Sequence, residues 1–233
     1  IPPKIRRKMH YHISTSLILQ EFPKTSNECP LCEIRKIVEN NLAEQYLNEA
    51  VMVTSVRYKV NEKGFCKKHF DKLFEGQSKL GLALQCITRM NVLMNEMTPS
   101  VSVSLAKKKA KKLSECEHTC VICDSVEEHM QRYYKTVAQL YCEEEDFRDL
   151  LGYSRGFCLH DYAQLVLNSS CAGGKAKEYV NLLAKVQKEN YLNLQSDLQW
   201  FCDRHDFRNA GKDLGKAKDA LPRTRARLYG NKK

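Results

Sequence analysis

The strongest constraint on this chain is a phrase that it carries twice. Cys29-Pro30-Leu31-Cys32 is answered by Gly64-Phe65-Cys66-Lys67-Lys68-His69, and Cys120-Val121-Ile122-Cys123 is answered by Gly156-Phe157-Cys158-Leu159-His160. Cys32 and Cys66 are 34 positions apart, Cys123 and Cys158 35 positions. Between them an Arg falls 25 positions after the second Cys in both copies, Arg57 and Arg148, and a capping residue precedes it, Ser55 and Asp146. We read this as an internal duplication. Whatever the fold, it has to serve these pairs of thiols.

A Cys-x2-Cys pair forms a turn whose two sulfurs can share one metal, and a following Cys-x2-His supplies two further donors on one helical face. Zinc takes four such soft and imidazole ligands in a closed tetrahedron. Cys29, Cys32, Cys66 and His69 therefore form the expected first site, and Cys120, Cys123, Cys158 and His160 the second, with about two zinc ions per chain. In the second copy His160 stands at i+2 from Cys158. Aligned without a gap, Asp161 takes the place of His69, and Tyr162 that of Phe70. Imidazole is the better zinc ligand, which favours His160, while Asp161, Cys116, His118 and His205 remain alternatives. The second site is expected to be the weaker.

Composition sets the compartment and narrows the function. Eleven cysteines in 233 residues, with no run near the ~20 apolar residues of a membrane span and no apolar core of signal-peptide length in residues 1 to 20, fit a cytoplasmic chain in which thiolates bind metal. The net charge of +10 is concentrated in residues 1 to 8, in Lys107, Lys108, Lys109, Lys111 and Lys112, and in the tail, which holds Arg223, Arg225 and Arg227. Residues 114 to 200 are acidic. The basic stretches suit nucleic-acid phosphate, or the tail can dock on the acidic run Glu143 to Asp146. There is no phosphate loop, no nucleophile elbow and no His-Glu-x2-His helix, so an enzyme is the weaker reading.

Helical periodicity runs through the chain and strand signals are nearly absent, so the expected class is all-α. Residues 1–28 are a basic start and a leading helix through Ile13, Leu17, Ile18 and Phe22, packed on the first repeat. Residues 29–98 form helical repeat one, 99–115 a Lys-rich linker, 116–199 helical repeat two and 200–233 a basic tail. A single helix from Cys32 to Cys66 would part them by about 50 Å. The chain therefore has to turn back, at a cap near Thr54 or Ser55 in the first copy and Asp146 in the second, for the pairs to meet.

The order of Cys-Pro-Leu-Cys, an Arg, Gly-Phe-Cys-x2-His, a degenerate second copy, and a tail with His205-Asp206-Phe207-Arg208-Asn209 and Asp219-Ala220-Leu221-Pro222-Arg223 resembles a bacterial family of unknown function from anaerobic Gram-positive lineages. The likeness spans the chain from about Met9. It implies a helical protein of two units and supplies no activity. A transporter substrate-binding label attached to some members finds neither an export signal nor an α/β pattern here. The favoured function is a non-enzymatic, zinc-stabilised interaction scaffold for a macromolecular partner. The alternatives are nucleic-acid binding through linker and tail, and a thiol redox switch at the Cys-x2-Cys pairs.

Overall fold

A computed structural model describes residues 13–24, 29–97, 99–209 and 211–230. Among these there is no strand, and eleven α-helices follow one another: α1 (Ile13–Glu21), α2 (Pro30–Leu47), α3 (Thr54–Lys63), α4 (Lys67–Glu75), α5 (Lys79–Glu96), α6 (Val103–Glu115), α7 (Val121–Glu143), α8 (Glu145–Gly152), α9 (Leu159–Leu167), α10 (Ala176–Asp203) and α11 (Ala220–Tyr229). Each Cys-x2-Cys opens a long helix, α2 or α7. A short return helix, α3 or α8, then leads to the Gly-Phe-Cys turn, and α4 or α9 begins just after its cysteine. The stretch from Phe70 to Met97 is two helices, because Gly76-Gln77 interrupts it and Ser78 caps α5 by accepting from the Gly81 amide.

The chain divides into two compact units whose bounds differ from the segments expected of the sequence: one holds residues up to Lys36 and from Met130 onward, the other Ile37 to His129. The first unit is discontinuous in sequence. Its core joins Ile18 and Phe22, from α1 and its end, to Leu31, Ile34, Tyr134, Val137, Phe147, Leu151, Phe157, Leu165, Tyr179 and Leu183. The Phe22 ring lies 5.4 Å from that of Phe147 and 6.2 Å from that of Phe157. The residue that follows the leading helix therefore meets aromatics of the second copy, a contact that its sequence position does not lead one to expect.

The described part of the tail docks within the same unit, against α10 and the turn before Cys158. Arg223 on α11 pairs with Asp197 of α10 at 2.8 Å and with Asp219 at 2.8 Å. Arg227 is buried and donates from Nη1 to the Gly156 carbonyl at 2.9 Å. The second unit is built on a smaller set, including Leu42, Tyr46, Leu47, Val51, Val60, Leu73, Leu82, Val121, Ile122 and Val126. Buried Gln85 on α5 ties it to α2 by donating to the Tyr46 carbonyl at 2.6 Å.

Candidate metal centres

In the first unit Cys29 and Cys32 sit at the start of α2, where the amides of Cys32 and Glu33 both donate to the Cys29 carbonyl, at 3.0 and 3.3 Å. That turn aims the two sulfurs the same way. Cys158 is the N-cap of α9 in extended conformation (φ −69°, ψ 160°), and its sulfur accepts from the Asp161 amide at 3.4 Å. Asp161 follows at i+3, on the same helical face. Its Oδ2 lies 3.3 Å from the sulfur of Cys29, 3.4 Å from that of Cys32 and 3.2 Å from that of Cys158. Cys32 and Cys158 sulfurs are 3.7 Å apart. All four side chains are buried.

The other carboxylate oxygen is held from behind. Asp161 Oδ1 accepts from the Tyr134 hydroxyl at 2.6 Å, that hydroxyl accepts from Arg35 Nη2 at 2.9 Å, and Arg35 itself lies 3.7 Å from Oδ1. Burial pushes the Asp161 carboxyl up, and the Cys158 charge adds to this, while Tyr134 and Arg35 oppose it. Burial likewise raises Cys29, and hydrogen bonds from Cys29 and Cys32 pull Cys158 well below an ordinary thiol. The end of α11 closes the group: a Cβ placed on Gly230 would lie 3.1 Å from both the Cys32 and the Cys158 sulfur, and its φ of 61° also favours glycine.

The second unit repeats the geometry with imidazole in place of carboxylate. Cys66 caps α4 in nearly the same conformation as Cys158 (φ −70°, ψ 163°), and His69 follows at i+3. His69 Nδ1 lies 3.3 Å from each of the sulfurs of Cys66, Cys120 and Cys123, and Cys66 and Cys123 sulfurs are 3.8 Å apart. Here Cys123 is exposed and Cys66 half-buried. The turn before Cys66 is pinned by the Val121 amide donating to the Gly64 carbonyl at 3.0 Å and by the Thr119 hydroxyl donating to the Lys63 carbonyl at 2.6 Å.

Behind His69, Glu39 Oε1 lies 3.5 Å from Nε2, within ion-pair reach but long for a hydrogen bond. Glu39 also receives Lys68 and Lys72, each at 3.1 Å. The interaction with His69, then the two lysines, holds the Glu39 carboxyl well below the usual range. Burial opposes charge on His69, but Cys120 and Glu39 outweigh it and raise the imidazole to about 9. The hydrogen bond from Cys123 lowers Cys120 to about 3. In each unit the four donor atoms lie within 4.8 Å of one another, and each cluster could hold a metal ion. No disulfide joins any of the eleven cysteines.

Seven of the eight expected ligands stand in these clusters, but the grouping is exchanged. Cys29 and Cys32 meet Cys158 and Asp161 rather than Cys66 and His69, and Cys120 and Cys123 meet Cys66 and His69 rather than Cys158 and His160. Asp161, not His160, completes the second phrase. A helix beginning at Leu159 turns the i+3 side chain toward the Cys158 sulfur and the i+2 side chain elsewhere, and His160 Nε2 is buried without a hydrogen-bond partner. Cys116, His118 and His205 belong to neither cluster. The supporting residues Arg35, Tyr134, Glu39 and Gly230 carried no sequence signal. The ungapped match of Asp161 with His69 is the sequence pointer to the fourth member of that cluster.

Of the basic residues considered for nucleic acid, Lys107, Lys108, Lys111 and Lys112 are exposed on α6 and Lys109 is half-buried there; Lys112 pairs with Glu96. Arg225 is exposed, while Arg223 and Arg227 are committed to the contacts described above. Arg57 is exposed, and Arg148 donates from Nε to the Tyr141 carbonyl at 3.0 Å, satisfying a last-turn carbonyl of α7. No helix among the described residues is long and apolar enough to cross a membrane.

The arrangement of both clusters draws on residues from Cys29 to Asp161, and a single family model covers all of them, matching residues 9–233. The chain belongs to DUF6062, a family of unknown function. Comparison with curated proteins and with solved structures finds no match. Membership in DUF6062 thus brings no activity with it, and the chemistry of the two clusters has to carry the functional reading.

Proposed function

We propose that this DUF6062 member is a non-enzymatic helical scaffold in which each cluster holds one zinc ion, two per chain. The observation that carries the reading is the spacing of the donors. Zinc–sulfur bonds of about 2.3 Å in a tetrahedron set sulfurs about 3.8 Å apart, and a sulfur and a nitrogen or oxygen donor about 3.5 Å apart. The sulfur pairs at 3.7 and 3.8 Å and the mixed pairs at 3.2 to 3.4 Å follow that pattern. Three thiolates with imidazole or carboxylate suit a soft or borderline ion. Every position of each tetrahedron is taken by protein, so the site favours structural work over catalysis.

What the zinc stabilises is the meeting of distant segments. Each centre joins a Cys-x2-Cys turn to a helix start more than fifty residues away, fixing helices whose apolar faces then serve as a platform for a macromolecular partner. Elemental analysis of protein purified without added zinc tests the reading: two zinc per chain are expected, and metal-free, folded protein with all eleven thiols reactive would overturn it. A second reading, nucleic-acid binding, is favoured by the exposed lysines of α6 and rests on that helix. Affinity that falls steeply with salt would support it.

A further inference from the structure

Helix α5 turns Leu82 and Gln85 into the second unit and leaves a long apolar stripe outside. Leu80 is 73% exposed, Leu84 44%, Ile87 55% and Met94 55%. With exposed Asn91 they recur at intervals of four, three, four and three, the spacing of one side of a heptad seam. Met90 and Met97, also exposed, widen the stripe. Phe74, exposed on α4, lies under the Lys79 ammonium at 4.5 Å, at the end of the stripe near Leu80.

We propose that this stripe is the contact surface of a homodimer, formed by α5 of a second copy of this chain about a two-fold axis. Three features select a second copy as the occupant. The heptad spacing is self-complementary, as a two-fold contact requires. No charge stands in the stripe: the charged residues of α5 are Lys79 on the Phe74 ring, Arg89 on the carbonyls of Asn61 and Glu62, and Glu96 paired with Lys112. The one polar residue in the seam is an Asn, which fixes register by pairing with its own counterpart. A differently charged partner would find nothing here to recognise. The stripe measures about 27 Å by about 10 Å, small beside the roughly 800 Å² per partner of a standard interface. The dimer is therefore a weak, transient one. Since the chain carries a net +10, salt that screens this repulsion strengthens the dimer.

Sedimentation velocity of the full chain, from about 1 to 200 μM, reads the equilibrium directly. A monomer–dimer transition is expected that tightens as salt is raised. Ile87→Asp and, separately, Leu84→Asp should weaken it at least tenfold, with helicity and metal content unchanged. Asn91→Leu should tighten it and admit higher oligomers. Hydrogen exchange of the unaltered protein at both ends of the range should show protection gained at high concentration over residues 80 to 97, a readout that needs no variant. The proposal is overturned by a monomer throughout the range, by a dimer that neither Asp variant weakens, by a dimer that loosens with salt, or by protection gained elsewhere.

Discussion

Replacing Cys158 with serine tests the exchanged grouping of the ligands more sharply than any other single change. Its sulfur lies 3.7 Å from that of Cys32 and 3.2 Å from Asp161 Oδ2, in a fully buried group. Serine is a poor zinc ligand, so on the proposed function the first unit should lose its metal. Apparent binding free energies of structural zinc are about 10–16 kcal/mol, as large as the whole stability of a typical domain, about 5–15 kcal/mol. The first unit should therefore lose most of its cooperative unfolding transition. The thiols report which donors shared the site. Pulse alkylation read by mass spectrometry should find Cys29 and Cys32 newly reactive while Cys66, Cys120 and Cys123 stay protected, and metal content should fall from two to one. If Cys120 and Cys123 become reactive in Cys29's place, the pairing follows the order of the sequence and the structure's grouping is refuted. If no thiol changes, the metal reading fails altogether.

Other perturbations separate the two centres. A chelator should strip the centre of the second unit first, because Cys123 is exposed and Cys66 half-buried there while the other four donors are all buried; stopped-flow release with a colorimetric zinc indicator would show two phases, and Cys123→Ser should remove the faster one. Acidification should release both ions, since protons compete for ligands that bind metal deprotonated, and titration with release measured by the same indicator checks the direction. Tyr134→Phe leaves Asp161 Oδ1 without its 2.6 Å donor and should cost the first centre about 10–100-fold in metal affinity, measured by competition with a chelator, while the second centre is unaffected. Deleting residues 210 to 233 removes Arg227 and Gly230 and should lower the melting temperature and speed metal loss from the first centre only, in contrast to a tail that merely trails in solvent.

The sequence made the class, the thiol pairs and the turns readable because these are local. Gly64 and Gly156 sit at positive φ, 66° and 82°, before Phe-Cys, as a Gly in a tight turn leads one to expect. The return helices start within two residues of the expected caps, but Val53 and Glu144 stand at the N-cap in place of Thr54 or Ser55 and Asp146, and neither side chain accepts a hydrogen bond there. The pairing of one motif with another was not local. Two Cys-x2-Cys turns and two Cys-x2-His/Asp helix starts admit either grouping with the same ligand types, and spacing in sequence carries no information about which is closer in space. The tail was legible as basic but not in its destination: Arg223 finds Asp197, a residue one helical face of α10 provides, rather than the denser run Glu143 to Asp146. Ligand preference alone points to His160, but the helix start at Leu159 fixes the direction of every side chain after it and brings Asp161 to the Cys158 sulfur.

The carboxylate in the first centre has a physical consequence for its surroundings. Three thiolates and a carboxylate around a zinc(II) ion carry an excess of two negative charges, one more than three thiolates with imidazole. A buried excess of that size is costly unless countercharges are buried with it. The first unit places two there, Arg35 behind Asp161 and Arg227 near the sulfurs, and both are buried. Burial works against the Arg227 cation, and the neighbouring charges of Cys29, Tyr191, Cys32 and Cys158 work for it. The second centre, with less charge and open at Cys123, has Glu39 behind its imidazole, shared with Lys68 and Lys72. On this account Asp161→His alone should not improve the first centre. It removes one negative charge and the acceptor for Tyr134, leaving Arg35 and Arg227 overcompensated in the interior, where an unpaired charge costs about 3–5 kcal/mol. Asp161→His combined with Arg35→Met should recover more stability than the sum of the single changes predicts, and a double-mutant cycle in thermal unfolding measures that coupling. Additivity within about 0.5 kcal/mol would show that Arg35 balances something other than the Asp161 charge.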